Sequence, residues 1–266
     1  MKYALISGSE SGLAQASIKE LEKMGWIIFC CDVKHKEIKA ENNKHLSPTD
    51  LTDDKSIKNA FDYVKKITNK LDLVSNFAGI VTLGSLVELP IDTLDTIVKI
   101  NLLGTYKINN IFFPLVYNAK GRIINISSEY GKICGIPFHG YYGITKHAIE
   151  VYNDSLRREL LSSGIKVVSI RPGAFKTNMQ KGITSQFEKV VKETKMYKAP
   201  LTKMKNIMTT ELGKAKPTEI FAKVFVKAAT TKKPKRVYKV NNSLKMKMLS
   251  SLPSSVQDFA FNKYLK

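Results

Sequence analysis

Through most of this chain, apolar runs of strand length alternate with longer segments of helical period, and that rhythm narrows the fold sharply. Tyr3–Ile6, Trp26–Cys31, a run leading into Asp50, Leu71–Asn76, Arg122–Ile126, Lys166–Ile170 and Arg236–Val240 read as strands. They are near-continuous apolar runs, the pattern of strands covered on both faces. Helical segments lie between them: Gly12–Met24, then Ile57, Ala60, Phe61 and Val64 behind an Asp53 cap, then Ile91–Leu103 continuing to Tyr117, then Gly143–Leu161. This alternation predicts one α/β domain over residues 1–266, with a doubly wound parallel sheet of about seven strands and helices on both faces.

The rhythm breaks over 178–216, which holds Met179, Met196, Met204, Met208 and many lysines but no strand. A long insertion in such a fold predicts a lid over a binding site. Pro217-Thr218-Glu219 restarts a helix. Ser255, with Asp258 three residues on, predicts a capped final helix over 254–265 carrying Val256, Phe259, Ala260 and Tyr264 on one face.

Composition excludes several classes. No stretch approaches the ~18 apolar residues of a membrane span, and the N-terminal apolar run is too short for a signal peptide. Three cysteines cannot all pair, and Cys30 and Cys31 point to opposite faces of a strand. Free thiols in a cytoplasmic protein are the expectation. The four histidines are scattered, and no CxxC or HExxH is present, so no metal site is expected. The net charge of +20 raises the question of an anionic partner. Only five of the 43 basic residues are arginine, the residue best shaped for phosphate, and the lysines are spread along the chain. The pattern reads as a solvated lysine-rich surface with no nucleic acid partner. Attraction of an acidic substrate, and contact of the basic lid and final helix with a membrane surface, stay open as further readings.

Gly8-Ser9-Glu10-Ser11-Gly12-Leu13 directly follows the first strand and opens the first helix. Small residues there let backbone N–H groups and a helix N-terminus approach a pyrophosphate. Asp32 ends the second strand about 20 residues on, where a carboxylate grips the ribose hydroxyls of a dinucleotide. The same carboxylate would repel a 2′-phosphate, so NAD (NADH) is expected over NADP, although Lys34 and Lys36 lie close by. A second group is Ser128, Tyr142 and Lys146, with Tyr142 and Lys146 four residues apart on one helix face.

With these motifs the sequence resembles the short-chain dehydrogenase/reductase family, whose Rossmann-type fold binds a nicotinamide cofactor. Ser7 to Ala14 resembles the family's glycine loop, and Asp50-Leu51 the pair that holds the adenine. Asn76-Phe77-Ala78-Gly79 resembles its Asn-Asn-Ala-Gly turn, and Asn101 its catalytic asparagine. Ser128 resembles the catalytic serine, and Tyr142 to Lys146 the Tyr-x-x-x-Lys pair. Ser127 and Tyr141 are adjacent alternatives, but Gly131 follows Ser128 at the family spacing and only Tyr142 has a lysine four residues later. Pro172, Gly173, Phe175 and Thr177 fall in the segment that clasps the nicotinamide. The match is strong over 1–177 and loose over 217–265. Ala14 stands where the family has a third glycine, and Phe77 where it has a second asparagine, which predicts altered packing at that turn.

The resemblance implies hydride transfer between the nicotinamide and a carbonyl or secondary alcohol carbon, with Tyr142 as acid/base. Lys146 would bind the nicotinamide ribose, Ser128 the substrate oxygen, and Asn101 a water leading to bulk solvent. A free tyrosine is only ~0.1% ionised at pH 7. A neighbouring ammonium lowers a pKa by about 1–3, so Lys146 is expected to depress that of Tyr142. The substrate wall is expected from Gly131–Tyr141, with Cys134, Phe138 and His139, and from the lid. His139 reads either as a second polar contact for substrate or as a surface histidine with no ligand.

The flanking pattern, with Leu89-Pro90 and Ser155-Leu156-Arg157-Arg158-Glu159, resembles the branch that contains hydroxysteroid and retinol dehydrogenases. A bulky apolar alcohol or ketone such as a hydroxysteroid is therefore expected. The alternatives are a small hydroxy acid such as 3-hydroxybutyrate and, outside enzymology, a non-catalytic NAD-binding regulator. Family members commonly assemble through two long helices, which implies a homo-dimer or homo-tetramer.

Overall fold

In the computed structural model, which describes residues 1–266, one sheet of eight strands runs through the molecule. The strands are β1 (Tyr3–Ser7), β2 (Ile27–Asp32), β3 (Lys39–Glu41), β4 (Lys44–Pro48), β5 (Leu73–Asn76), β6 (Arg122–Ile126), β7 (Lys166–Pro172) and β8 (Val237–Val240). Their spatial order is β3-β4-β2-β1-β5-β6-β7-β8. All neighbours are parallel except β3 and β4. The sheet thus has one strand more than the expected seven. The extra strand comes from a hairpin turned by Asn42-Asn43, with Asn42 at φ 53, a left-handed conformation that asparagine tolerates.

The helices are α1 (Gly12–Lys23), α2 (Asp54–Ile67), α3 (Ile91–Val98), α4 (Gly104–Ala119), α5 (Gly140–Glu159), α6 (Asn178–Glu193), α7 (Lys198–Leu212), α8 (Thr218–Thr230), α9 (Leu244–Ser250) and α10 (Ser254–Leu265). Ile18 and Leu21 of α1 join Phe221 and Phe225 of α8 in one core, with Cys30. Ile57 and Val64 of α2 join Ile108 and Phe112 of α4 in the other, with Cys31. The adjacent cysteines therefore belong to different cores, as strand alternation requires. Phe112, Phe221 and Phe225 are fully buried, each stabilising the fold by about 1.5–3 kcal/mol relative to exposure. All three cysteines are free. No helix is long and apolar enough to cross a membrane.

The segment expected as one run from Ile91 to Tyr117 is interrupted. Lys99–Leu103 forms a π turn between α3 and α4. The segment after Thr177 is also regular, being the two helices α6 and α7 packed on each other. The final helix differs from expectation at its cap and its face. It starts after Pro253, with no side-chain cap bond, so Ser255 lies inside it. Val256, Phe259 and Tyr264 are exposed, while Phe261 and Leu265 turn inward. The helix docks against α7 through that other side.

A third, smaller apolar cluster lies away from the sheet. Val81, Leu83, Ile133, Ile136, Phe187, Leu201 and Met204 form it, with Tyr142 at its edge. The order of the strands reverses around β1, which has β2 on one side and β5 on the other. The crevice beyond the carboxyl ends of these strands is the usual ligand site of such a sheet.

Candidate active site

At that crevice the first turn is held close to its neighbour. Gly8 has φ +68, and a Cβ built on it would meet the Ala78 nitrogen at 2.4 Å. Only glycine lets the first loop lie this near the β5 turn. Ser11 caps α1 by accepting the Ala14 N–H at 3.3 Å, and Leu13 is half-buried beside it. A Cβ on Gly12 would meet Thr177 Cγ2 at 3.0 Å. Thr177 precedes α6, so the N-termini of α1 and α6 flank one space. These exposed helix N–H groups and the bare Gly8 backbone suit a pyrophosphate.

Asp32 lies at the end of β2, buried, with one oxygen accepting the Glu10 N–H at 2.9 Å and the other the Lys34 N–H at 3.0 Å. A carboxylate retains further lone pairs for ribose hydroxyls. Asp50 accepts from Thr52, and Leu51 packs against Gly104. Gly79 lies against Asn101 and Lys146. Gly173, at the end of β7 beside Pro172, approaches Asn241 so closely that no Cβ fits.

Two residues expected at the cofactor turn their side chains into the protein. Phe175 turns its ring into the first core, 5.8 Å from Phe221, so its side chain is a packing element. Asn76 is absorbed in a buried amide network. Its Nδ2 donates to Asn109 Oδ1 and Asn125 Oδ1, both at 2.7 Å, and its Oδ1 accepts from Ser7 at 3.1 Å. Asn109 also donates to Asn125 Oδ1 and to the Tyr152 hydroxyl, both at 3.2 Å, and Asn125 donates to Asn153 Oδ1 at 2.7 Å. The network ties β1, β5 and β6 to α4 and α5. Phe77, the departure in the same turn, packs on Phe221 and Phe225.

The catalytic candidates converge at the start of α5. Asn101 sits fully buried in the π turn, a distortion frequent at functional sites. Its Oδ1 accepts the Ile80 N–H at 2.8 Å, and its Nδ2 donates to Ile80 O at 2.9 Å and Thr145 Oγ1 at 3.1 Å. Thr145, which sequence patterns did not single out, donates in turn to Tyr142 O at 2.9 Å. Lys146 Nζ donates to Ile126 O at 3.0 Å and lies 5.6 Å from the Tyr142 ring. Behind it Glu150 accepts from Arg171 Nε at 2.8 Å and Ser169 at 2.8 Å. Ser128 caps the 3-10 turn Glu129–Gly131.

The electrostatics differ from the expected pairing. Burial pushes the Tyr142 phenol up to about 12, opposed by the Ser128 hydroxyl. Burial also pulls Lys146 down to about 8, with Glu150 acting the other way. Burial is thus the largest influence on both groups, and it favours the neutral form of Tyr142. Glu129 is raised by burial and accepts the Ser243 N–H at 2.8 Å, which ties the serine loop to α9.

The residues expected to form a substrate wall lie near Tyr142. Tyr130 meets Tyr142 edge to face at 5.7 Å and packs tilted against His139 at 5.3 Å, and His139 lies 5.5 Å from Phe187 of α6. His139 is 3% exposed, so the reading as a surface histidine is overturned. Cys134 is half-buried and its N–H donates to Ser250 Oγ at 2.9 Å. Glu88 ties α6 and α7 to the body: it accepts from Thr194 Oγ1 at 2.6 Å and from the N–H groups of Lys195 and Met196 at 3.0 and 2.9 Å. No cluster of three or more metal-ligating side chains is present.

Comparison with known proteins agrees with this geometry. The family profile described as short chain dehydrogenase matches residues 2–188. Retinol dehydrogenase 7 of Mus musculus is 33% identical over 187 residues, 67% of this chain and 58% of that protein. Estradiol 17-beta-dehydrogenase 2 of Mus musculus is 33% identical over 214 residues, 72% of this chain and 55% of that protein. The chain thus spans less than three fifths of the length of these two relatives. A 3-ketoacyl-(acyl-carrier-protein) reductase from Brucella melitensis, solved with NADH, superposes with a TM-score of 0.72 at 18% identity, covering 90% of this chain and 96% of that one. That likeness is one of fold.

Proposed function

The chain belongs to the short-chain dehydrogenase family, and on that premise we propose that it is an NAD-dependent oxidoreductase interconverting a bulky apolar secondary alcohol, such as a hydroxysteroid, and its ketone. The observation that carries the substrate class is the third apolar cluster, which ends at Tyr142 and draws its members from the wall loop and from α6, α7 and α10. The helices α6 and α7, held by Glu88, are the proposed lid.

The bound nicotinamide supplies or accepts the hydride. Gly8, Ser11, Gly12 and Asp32 would hold its dinucleotide frame, with Asp50, Leu51, Ala78, Gly79, Pro172, Gly173 and Thr177 around it. In reduction Tyr142 donates its phenolic proton to the substrate oxygen, and Ser128 hydrogen-bonds that oxygen as charge develops on it. Lys146, its pKa lowered by burial to about 8, returns a proton toward Tyr142. Asn101 pins the Ile80 loop and the first turn of α5, which keeps the Lys146 ammonium and the phenol in register. The fixed Asp32 carboxylate supports NAD over NADP.

Exposed Tyr106 and Tyr117 of α4, and Ile144 and Val151 of α5, support assembly of copies through these helices. A screen of steroid, bile acid, retinoid and short hydroxy-acid substrates, read as NADH absorbance, tests the function. Turnover confined to the short acids would refute the apolar reading, and better kcat/KM with NADP would refute the cofactor. Binding of NADH with no turnover of any alcohol or ketone would favour a regulator.

A further inference from the structure

We propose that His139 selects substrates carrying a second hydroxyl, which its Nε2 accepts as a hydrogen bond while the reacting oxygen sits at Tyr142. The inference rests on the apolar alcohol reading above and sharpens it from a bulky apolar body to one with a hydroxyl at a defined second position.

The tautomer follows from the neighbours. His139 Nδ1 lies 3.2 Å from Pro137 O, and a carbonyl can only accept. The ring proton is therefore on Nδ1, and Nε2 presents a lone pair. That nitrogen is buried and has no hydrogen-bond partner in the protein. Burial holds the imidazole down to about 4, so it stays uncharged and accepting at neutral pH. Leaving a buried acceptor without a donor is costly, and such groups in native folds call for an explanation.

The position of His139 supplies one. It immediately precedes α5, three residues before Tyr142, and the Tyr130 ring joins the two, 5.3 Å from His139 and 5.7 Å from Tyr142. Phe138 before it has φ 64, a left-handed strain that a phenylalanine accepts only where the surroundings hold it. The Phe138 carbonyl is fixed by the Gly84 N–H at 2.9 Å. Two rings flank the imidazole, Tyr130 at 5.3 Å and Phe187 at 5.5 Å. The Tyr130 hydroxyl is itself engaged by nothing better than Met208 Sδ at 3.8 Å. Phe187 belongs to α6, so displacement of that helix is what admits a ligand to Nε2.

An acceptor here discriminates by hydrogen-bond sense. A hydroxyl is welcomed, a bare hydrocarbon leaves Nε2 unpaired, and a ketone sets two lone pairs against each other. The test compares three 3-hydroxy steroids that carry at ring D a hydroxyl, a ketone or hydrogen only, with kcat/KM read as NADH formation by wild type and His139→Phe. Phenylalanine preserves the ring packing and removes the acceptor. The wild type is expected to favour the diol over both others by about tenfold or more, and the variant to bring the three within about twofold. A wild type with no preference overturns the proposal by itself, whatever the variant does. So does a variant that keeps the preference. If the wild type oxidises none of the three, the apolar alcohol reading fails and this proposal with it, a result distinct from equal turnover of all three.

Discussion

Replacement of Asn125 by alanine tests whether the buried amide network holds the site strands together. The substitution removes one acceptor and one donor. Asn76 loses one of its two Nδ2 partners at 2.7 Å, Asn109 loses one at 3.2 Å, and Asn153 Oδ1 loses its donor at 2.7 Å. Asn153 Nδ2 is already without a partner, so its whole amide is then stranded. A buried polar group deprived of its partner costs about 1–3 kcal/mol. With three groups affected and two of them retaining one bond each, the low end applies, about 3 kcal/mol in all. That is a large share of the roughly 5–15 kcal/mol that holds a domain. For a chain of this size it lowers Tm by about 6–12 °C. Urea unfolding and thermal melts of Asn125→Ala measure it. The double variant with Asn153→Ala should cost less than the two singles added, because the second change removes the stranded amide. A Tm drop below about 2 °C, or strict additivity, would show that the network contributes little.

Other consequences are as direct. Gly8→Ala combines φ +68 with a clash against Ala78, so NADH binding read by fluorescence should weaken by at least about tenfold with the far-UV spectrum unchanged. Glu88→Ala removes three hydrogen bonds from the turn between α6 and α7, and trypsin should cut after Lys195 several-fold faster, with cleavage elsewhere unaltered. His139 is buried uncharged, with its pKa lowered from 6.5 to about 4. Between these values the unfolded chain binds the proton and the folded one does not, so this contribution is present above pH 6.5 and is lost as pH falls through about 4. It amounts to about 3 kcal/mol. The wild type should therefore lose about that much more stability than His139→Phe between pH 7 and 4, measured by urea midpoints.

Local patterns place most of the candidate residues. Gly8 and Gly12 lie between a strand and a helix, and Tyr142 and Lys146 are one helical turn apart, so a few neighbouring residues fix where each one stands. The sheet was legible for the same reason, since each buried strand is an uninterrupted apolar run. What escaped depends on partners far along the chain. Nothing near Phe175 says that its ring will meet Phe221, and nothing near Asn125 says that Asn76, Asn109 and Asn153 will gather round it. The outer face of α10 was misread because apolar residues lie on two of its sides, and only the docking of α7 decides between them. The electrostatics of Tyr142 are hidden in a similar way. Sequence spacing shows a lysine nearby, but not that burial is the largest influence on both groups.

The π turn at Lys99–Leu103 has a consequence for how this chain can change. Buried positions run through it at Ile97, Asn101 and Thr105, and then at Ile108 and Phe112. The wide turn accommodates one residue beyond what a regular helix would use. Deleting a single residue there would let the segment close as ordinary α-helix, with better hydrogen bonds than before. Because the surplus residue is absorbed within the turn, the helix on either side would keep nearly its present phase, and Phe112 would stay in its core. What would change is the turn itself, where Asn101 holds the Ile80 loop. The cost of such a deletion should therefore fall on the site and not on the packing.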